Sequence, residues 1–376
     1  TGAETVELVC GAPNARTGLK GVFAPSGSYV PGTGITLKPT EIRGVMSSGM
    51  LLSEREMGIS EDHEGIVDLP DDTPIGLEAA EVMGLDDPVI ELGITPDRAD
   101  CFGVYGIARD LAAAGVGTLR PISAEKHEGT FEPPIKWQRD FPDANQDACP
   151  MVVGRYFRGV SNGPSPKWVQ DRLIAIGLRP ISALVDITNL VTFDLCRPLH
   201  VFDADKVSGD LTMRFARDGE KVLALDGREY TLDDGISVIA DANGVHGIGG
   251  IMGGEDTGCT EETTNVFLEV ALFDPIRTAT TGRRLGIESD ARYRFERGLD
   301  PESAYWGAEV ATRLILEFCG GEASELTIAG EMPDWARPVS LRPERLKSFG
   351  GVDVETEEAL SILDRLGFKP KQDNGL

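Results

Sequence analysis

The sequence predicts a multidomain α+β chain, in which a small β-barrel precedes a mixed region of helices and hairpins and the start of a helical unit. Three observations predict it. At roughly 150 residues per domain, 376 residues are too many for one core. Turn-bounded short runs fill the first 84 residues, whereas helix start and stop signals intermix with Asp-Gly and Asn-Gly turns further on, without regular βαβ alternation. Proline-rich stretches separate these regions.

Taken in order, residues 1–84 carry "PNARTGLKG", "APSGSYVPGTG" and "RGVMSSGMLLSEREMG", the punctuation of short strands in a small barrel. From Glu91, "ELGITPDRADCFGVYGIARDLAAAGVG" reads as a strand and then a helix closed by Gly115. Residues 117–150 hold Pro121, Pro133, Pro134, Pro142 and Pro150, which deny them a continuous helix or a central strand, so they read as a linker. In "SPKWVQDRLIAIG", Ser165 is placed to cap, Pro166 to begin and Gly177 to end a helix. The pairs Asp218-Gly219, Asp226-Gly227 and Asn243-Gly244 predict antiparallel hairpins. "NVFLEVALF" alternates, with Val266, Leu268 and Val270 on one face and Phe267, Glu269 and Ala271 on the other. Asp300 and Pro301 then open a helix lined by Trp306, Val310 and Leu314 and ended by Gly320. A second linker, "GEMPDWARP", leads to a short strand, a turn and a helix from Thr356 with Ala359, Leu360, Leu363 and Leu366 inward and Gly367 past its end. This final stretch is too short for an independent core.

Composition bounds the function. Apolar residues at 41% and charged residues at 26% are ordinary for a globular chain, and no run approaches the roughly 18 apolar residues of a membrane span. A net charge of −26 is the reverse of what a general phosphate-gripping surface needs, so any nucleic-acid contact must be local. Within residues 1–50, Arg16, Lys20, Lys38 and Arg43 outnumber Glu4, Glu7 and Glu41, and the acid excess begins later, with "SEDHEGIVDLPDD". Six scattered cysteines without a CxxC, and four histidines, suggest neither a zinc site nor a disulfide framework and fit a reducing cytoplasm. Metal ligands are not expected.

No single constellation declares a reaction. "GVHGIGGIMGG" imitates a dinucleotide loop, but Met252 stands where the third glycine of GxGxxG belongs and no amphipathic helix follows. It reads either as a turn or as a bare-backbone loop that lets a ligand approach N–H donors. His200 in "RPLHVFD" reads as a core histidine or a catalyst, and Glu269 as a solvent-facing carboxylate or a pocket residue. Arg179 is by default a cation covering a helix end, and Ser289 a turn residue.

Three separated blocks add to this reading. "RPISALVDITNLVTFDLCRPLHVFDADKV", "GIGGIMGGEDTGCTEETTNVFLEVALFDPIRTATTGRRLGIESDARYRFERGLDP" and "VCGAPNARTGLKG…RGVMSSGMLLSEREMGISEDHEGIVDLPDDTPIG" resemble, in order along the chain, the β subunit of bacterial phenylalanyl-tRNA synthetase. The resemblance implies that residues 1–84 are a tRNA-binding OB-fold barrel lacking its first strand and that 85–146 belong to a small structural domain. It further implies that 147–332 form an editing domain and that 337–376 open a helical domain. An internal fragment is implied, with an α2β2 assembly around an α subunit in the cytoplasm. ATP and magnesium belong to the full synthetase, with the magnesium ligands beyond this chain, so the piece alone should not aminoacylate tRNA.

On matching positions, the resemblance makes Glu269 the reader of a tyrosine hydroxyl and sets His200 beside the terminal adenosine and the attacking water. Arg179 would neutralise the tRNA end, Ser289 and Ala291 would shape the pocket, and Pro198, Gly253 and Gly254 would set loop shape. Arg16, Lys20, Lys38 and Arg43 become candidate tRNA contacts. The alternative expectation is a tRNA-binding or structural module of the same subunit that does not turn over.

Overall fold

The structure is a computed structural model and describes residues 1–2, 4–60 and 63–371. Glu61 and Asp62 of the acidic run, and residues 372–376 of the last predicted unit, lie outside the described residues. The chain divides into two units, Thr1–Glu91 and Leu92–Leu376.

In the first unit, β1 (Phe23–Pro25) pairs with β6 (Gly49–Leu51), β2 (Tyr29–Val30) with β3 (Ile35–Thr36), and β4 (Thr40–Ile42) with β5 (Val45–Ser47). These are three separate antiparallel ladders, where a barrel was expected. Each of these strands is two or three residues long, is interrupted by turns and pairs with one neighbour only, so the ladders stay separate. Val22, Ala24, Val30, Leu52 and Val67 form a small core. Helix α1 (Glu54–Met57) starts with a capping box, in which Ser53 Oγ accepts from Glu56 N and the Glu56 carboxylate accepts from Ser53 N. Helix α2 (Ala79–Val82) follows.

The second unit opens on α3 (Val104–Ala113), with Gly115 in the left-handed region beyond its end. The strand expected before this helix is absent; a short 3₁₀ turn, Ala99–Cys101, stands there instead. The proline-rich stretch is not all linker either. Between its prolines, Trp137–Asp140 form β7, an edge strand, which is the place prolines nearby allow.

A four-stranded antiparallel sheet in the order β17-β8-β16-β9 is built from β8 (Met151–Arg158), β9 (His200–Asp203), β16 (Asn265–Ala271) and β17 (Glu322–Gly330). One face carries Val153, Val266, Leu268 and Val270 against α4 (Lys167–Ala175), α5 (Ala183–Leu195) and α8 (Ser303–Cys319). The other carries Val152, Phe202, Phe267 and Ala271 against a second sheet. That sheet, β15-β14-β13-β10-β7, adds β10 (Leu211–Phe215), β13 (Ser237–Ala240), β14 (Val245–Ile248) and β15 (Met252–Gly253). The alternation of β16 is therefore real, but both faces are buried, each in a different core. Fully burying one such Val, Leu or Phe side chain contributes about 1.5–3 kcal/mol.

Asp226-Gly227 turns the hairpin of β11 (Lys221–Leu223) and β12 (Glu229–Thr231), and Asn243-Gly244 turns β13 into β14. Asp218-Gly219 makes a turn without a β10–β11 hairpin, because β10 pairs with β13 and β7 instead. Ser165 does not cap α4: its hydroxyl donates to the buried Asp186 carboxylate at 2.6 Å, and Pro166 takes the cap position. Helix α8 starts two residues later than Pro301, after Asp300 has accepted from Glu302 N.

Helices α6 (Pro275–Leu285) and α7 (Asp290–Phe295) lie between β16 and α8 in the chain. The strand expected after the second linker is absent, and "ERLKS" forms α9 (Glu344–Ser348). Helix α10 (Thr356–Arg365) forms as expected, but none of its residues is fully buried.

Candidate active site

Three segments converge between the two sheets of the second unit. Helix α5 ends at Cys196 in the left-handed region, and the turn Arg197–Leu199 feeds directly into β9, delivering His200 at its first position. Strand β16 delivers Glu269 from the sheet interior, and the ladder sets Glu269 directly opposite His200. Side chains directly opposite in a ladder share a face, with Cβ atoms about 4.5–5.5 Å apart. The glycine-rich stretch is the hairpin β14–β15, which brings Gly253 against the imidazole. A Cβ at Gly253 would stand 2.8 Å from His200 Nε2, so only glycine lets the ring lie there.

These residues line a cavity of about 70 Å³, together with the aromatic Phe202, Phe273 and Phe295 and with Pro198, Met252 and Ala291. Glu269 is 7% exposed, and burial raises its carboxyl to about 8, an effect that Arg197 partly offsets. Among the described residues, none hydrogen-bonds to that carboxylate. Burial lowers His200 to about 4, so its imidazole is neutral at pH 7, and its Nε2 is buried without a hydrogen-bond partner. Arg197 is fully buried, with Nη1 donating to Ser303 Oγ at 3.2 Å and Nη2 to Ala271 O. A neutral imidazole with a bare nitrogen and a carboxyl with unused acceptors, in an apolar setting, can hold one water and one hydroxyl-bearing group.

Of the residues singled out from sequence, Pro198, His200, Gly253, Glu269 and Ala291 line this cavity. Three do not. Ser289 caps α7, accepting from Arg292 N at 3.1 Å and donating to Ile251 O at 2.6 Å, so it ties α7 to the glycine hairpin behind the wall. Gly254 N donates to His246 O at 2.7 Å, a hairpin contact outside the lining. Arg179 is exposed in the turn between α4 and α5 and is not among the lining residues. The three phenylalanines and Arg197 escaped the sequence reading. Arg197 had a signal, since it directly precedes the Pro198–His200 block.

In the first unit, Arg16 is bound to Asp68 through two hydrogen bonds of 2.6 and 3.2 Å, and Lys20 Nζ donates to Thr73 O at 2.5 Å. Lys38 and Arg43 are exposed, and among the described residues neither side chain has an ion pair. Asp100, Cys101 and Asp110 cluster closely enough for a cation, but Arg98 bridges both carboxylates and Arg109 adds to Asp100, so the charge a metal would need is already neutralised.

Residues 148–320 match the B3/4 domain family and residues 1–78 a putative tRNA binding domain. The phenylalanine–tRNA ligase beta subunit of Rhodospirillum rubrum is 58% identical over 99% of this chain and 47% of its own length. That of Mesorhizobium japonicum is 57% identical over 98% of this chain and 46% of its own, and that of Paramagnetospirillum magneticum 55% identical over the same shares. The chain belongs to this beta-subunit family. It spans about half the length of the curated relatives it matches. The cavity lies inside the stretch matched to the B3/4 domain. Among solved structures, an N-terminal fragment of the phenylalanyl-tRNA synthetase beta subunit from Pyrococcus horikoshii is similar over 74% of this chain at 16% identity and a TM-score of 0.33.

All six cysteines are unpaired thiols, and among the described residues no helix is long and apolar enough to cross a membrane.

Proposed function

We propose that this chain gives phenylalanine–tRNA ligase its post-transfer editing, the hydrolysis of the ester that joins mischarged tyrosine to phenylalanine tRNA. One observation carries the reading: an unpaired buried carboxyl, Glu269, directly opposite a neutral histidine, His200, in an aromatic-walled cavity. An apolar synthetic pocket rejects an added hydroxyl by only about a hundredfold, so a second site must sort tyrosine from phenylalanine. Glu269 does so by accepting the phenolic O–H. Phenylalanine in the same place leaves the carboxyl desolvated and unpartnered, at a cost of about 1–3 kcal/mol.

The ester needs no covalent nucleophile. Water adds to its carbonyl carbon and the bond to the ribose oxygen breaks, so positioning supplies much of the rate. His200 Nε2 accepts a hydrogen bond from that water; at a pKa of about 4 the ring is a weak base, suited to orienting water. Pro198, Gly253 and Ala291 shape the space, Ser289 fixes the wall behind it, and Arg179 meets the tRNA end as it leaves the cavity. Lys38 and Arg43 lead the tRNA contacts of the first unit, Arg16 and Lys20 being engaged internally. In the whole cytoplasmic α2β2 enzyme, ATP and magnesium serve the synthetic reaction elsewhere.

The test is release of amino acid from tyrosyl- and phenylalanyl-tRNA of the phenylalanine acceptor. The expected result is preferential release of tyrosine, with the preference falling about tenfold or more in Glu269→Ala while tRNA binding persists. Negligible release of both amino acids would instead favour a non-catalytic tRNA-binding or structural module; the net charge of −26 and the internal use of Arg16 and Lys20 fit its structural form, since both weaken a grip on phosphates.

A further inference from the structure

The proposed site rests on Glu269, yet among the described residues no hydrogen bond holds its carboxyl in one direction. The ladders of the four-stranded sheet set Thr327, Gly154, Glu269 and His200 in one row across β17, β8, β16 and β9. Gly154 offers no side chain, and the place is taken from the facing sheet. A Cβ at Gly154 would collide with Trp137 Nε1 and stand 2.7 Å from Trp137 Cδ1. The indole N–H therefore occupies the side-chain position next to Glu269, one cross-strand spacing of about 5 Å from its Cβ. Trp137 is 4% exposed, and its buried Nε1 has no hydrogen-bond partner among the described residues. A buried donor without an acceptor is uncommon and calls for an explanation. Here an unused donor and an unused acceptor are neighbours in the same row, within reach of a turn about the glutamate's own bonds.

We propose that Trp137 is a positioning residue for Glu269: its indole N–H donates to one carboxylate oxygen and turns the other toward the hydroxyl of the bound aminoacyl group. The inference deepens the editing reading and rests on it. Other groups facing Glu269 do different work. Arg197, from the turn after α5, spends its Nη atoms on Ala271 O and Ser303 Oγ and, among the described residues, keeps a buried Nε without a partner; it acts on Glu269 through its charge. Cys149, ahead of β8, is a buried thiol whose Sγ faces Met151 O at 3.7 Å. His200 faces Glu269 from β9, while Met252, Gly253, Ala291 and Phe295 bring no ionisable group from the hairpin and α7. Trp137 packs against Phe202 at 6.3 Å and Phe267 at 5.2 Å between ring centres, which fixes the indole plane.

The experiment follows the indole N–H resonances of the four tryptophans, Trp137, Trp168, Trp306 and Trp335, by NMR from pH 6 to 9, with assignments from single Phe variants. The Trp137 resonance is expected to move with a midpoint near 8, the range of Glu269, and to stay still in Glu269→Gln. Trp137→Phe keeps the ring packing and removes the donor. It is expected to cut the tyrosine preference about tenfold at neutral pH and to move the pH profile of that preference upward, because the ionised carboxylate loses a donor. A Trp137 resonance indifferent to Glu269 overturns the proposal, as does an unchanged pH profile in the folded Phe variant. Should Trp137→Phe fail to fold, the titration of the parent and of Glu269→Gln decides, with Trp137 assigned by elimination from the other three variants. If the parent releases neither amino acid, the editing reading falls while the titration still judges the pairing. If tyrosine is preferred but the titration is flat, the pairing falls and the reading stands.

Discussion

Glu309 and Glu269 are each 7% exposed, on opposite sides of one sheet, and their surroundings differ in the number of donors. Glu309, on α8, receives Arg155 Nη1 at 3.0 Å, Arg155 Nη2 at 3.3 Å, and both the backbone N–H and Nδ1 of His127 at 3.0 and 3.2 Å. Arg155 in turn donates to Thr312 Oγ1 and to His127 O. Glu269 receives no hydrogen bond among the described residues, and burial leaves its carboxyl raised to about 8. Burial of a carboxylate is thus no mark of function on its own. With four donors it is a clasp that pins the proline-rich stretch to the core, and with none it is an open acceptor, as the proposed function requires.

The sharpest way to break the comparison is Glu309→Ala. It leaves Arg155, whose side chain is 1% exposed, as an uncompensated buried charge, and should cost the second unit about 3–5 kcal/mol in denaturant unfolding. A loss under about 1 kcal/mol would mean that Arg155 finds other acceptors and that the clasp is not one.

Glu269→Gln should do the reverse, and in a pH-dependent way. The folded state holds a proton on Glu269 that the unfolded chain releases near its ordinary value of 4.5, so between about 4.5 and 8 the native state binds more protons and stability falls as pH rises. His200 has the opposite sign: its folded value near 4 lies below 6.5, so stability is lost as pH falls through that window. Gln cannot titrate. The variant should match the parent near pH 5 and exceed it at pH 8 by on the order of 3 kcal/mol, read from unfolding midpoints. Equal pH slopes in the two proteins would show that Glu269 is hydrated in the native state.

How far the sequence discloses this contrast depends on whether the decisive neighbour is local. The two-residue period of "NVFLEVALF" places Glu269 on the face opposite Leu268, and that holds. What the period cannot say is that the second face is covered, because the covering sheet comes from residues 137–140 and 211–253, far away in the chain. For the same reason the proline count of 117–150 suggests a linker and hides Trp137 and His127, whose partners lie on β8, β17 and α8. The cap at Ser165 fails because Asp186, brought in by α5, takes the hydroxyl. Turns whose geometry is set by two adjacent residues, Asp226-Gly227 and Asn243-Gly244, come out as expected. The pairing of Glu269 with His200 has no local signature at all; it is a register, and it reached the sequence reading only through resemblance to a family.

The finest test of the clasp is His127→Ala. The imidazole is 27% exposed and provides one of the four donors to Glu309, while the backbone N–H of residue 127 and both Arg155 contacts survive the change. A partly solvated contact of this kind is worth about 0.5–1 kcal/mol, and the stretch around it keeps a second anchor in Thr130 N to Ala323 O at 2.9 Å. The expected loss is therefore several times smaller than that of Glu309→Ala. In the double variant it should nearly vanish, because the acceptor has gone and coupled residues do not add. A single-variant loss as large as that of Glu309→Ala would show the imidazole to be indispensable. Glu309 would then depend on a single neighbour, and the number of donors would no longer separate the two carboxylates.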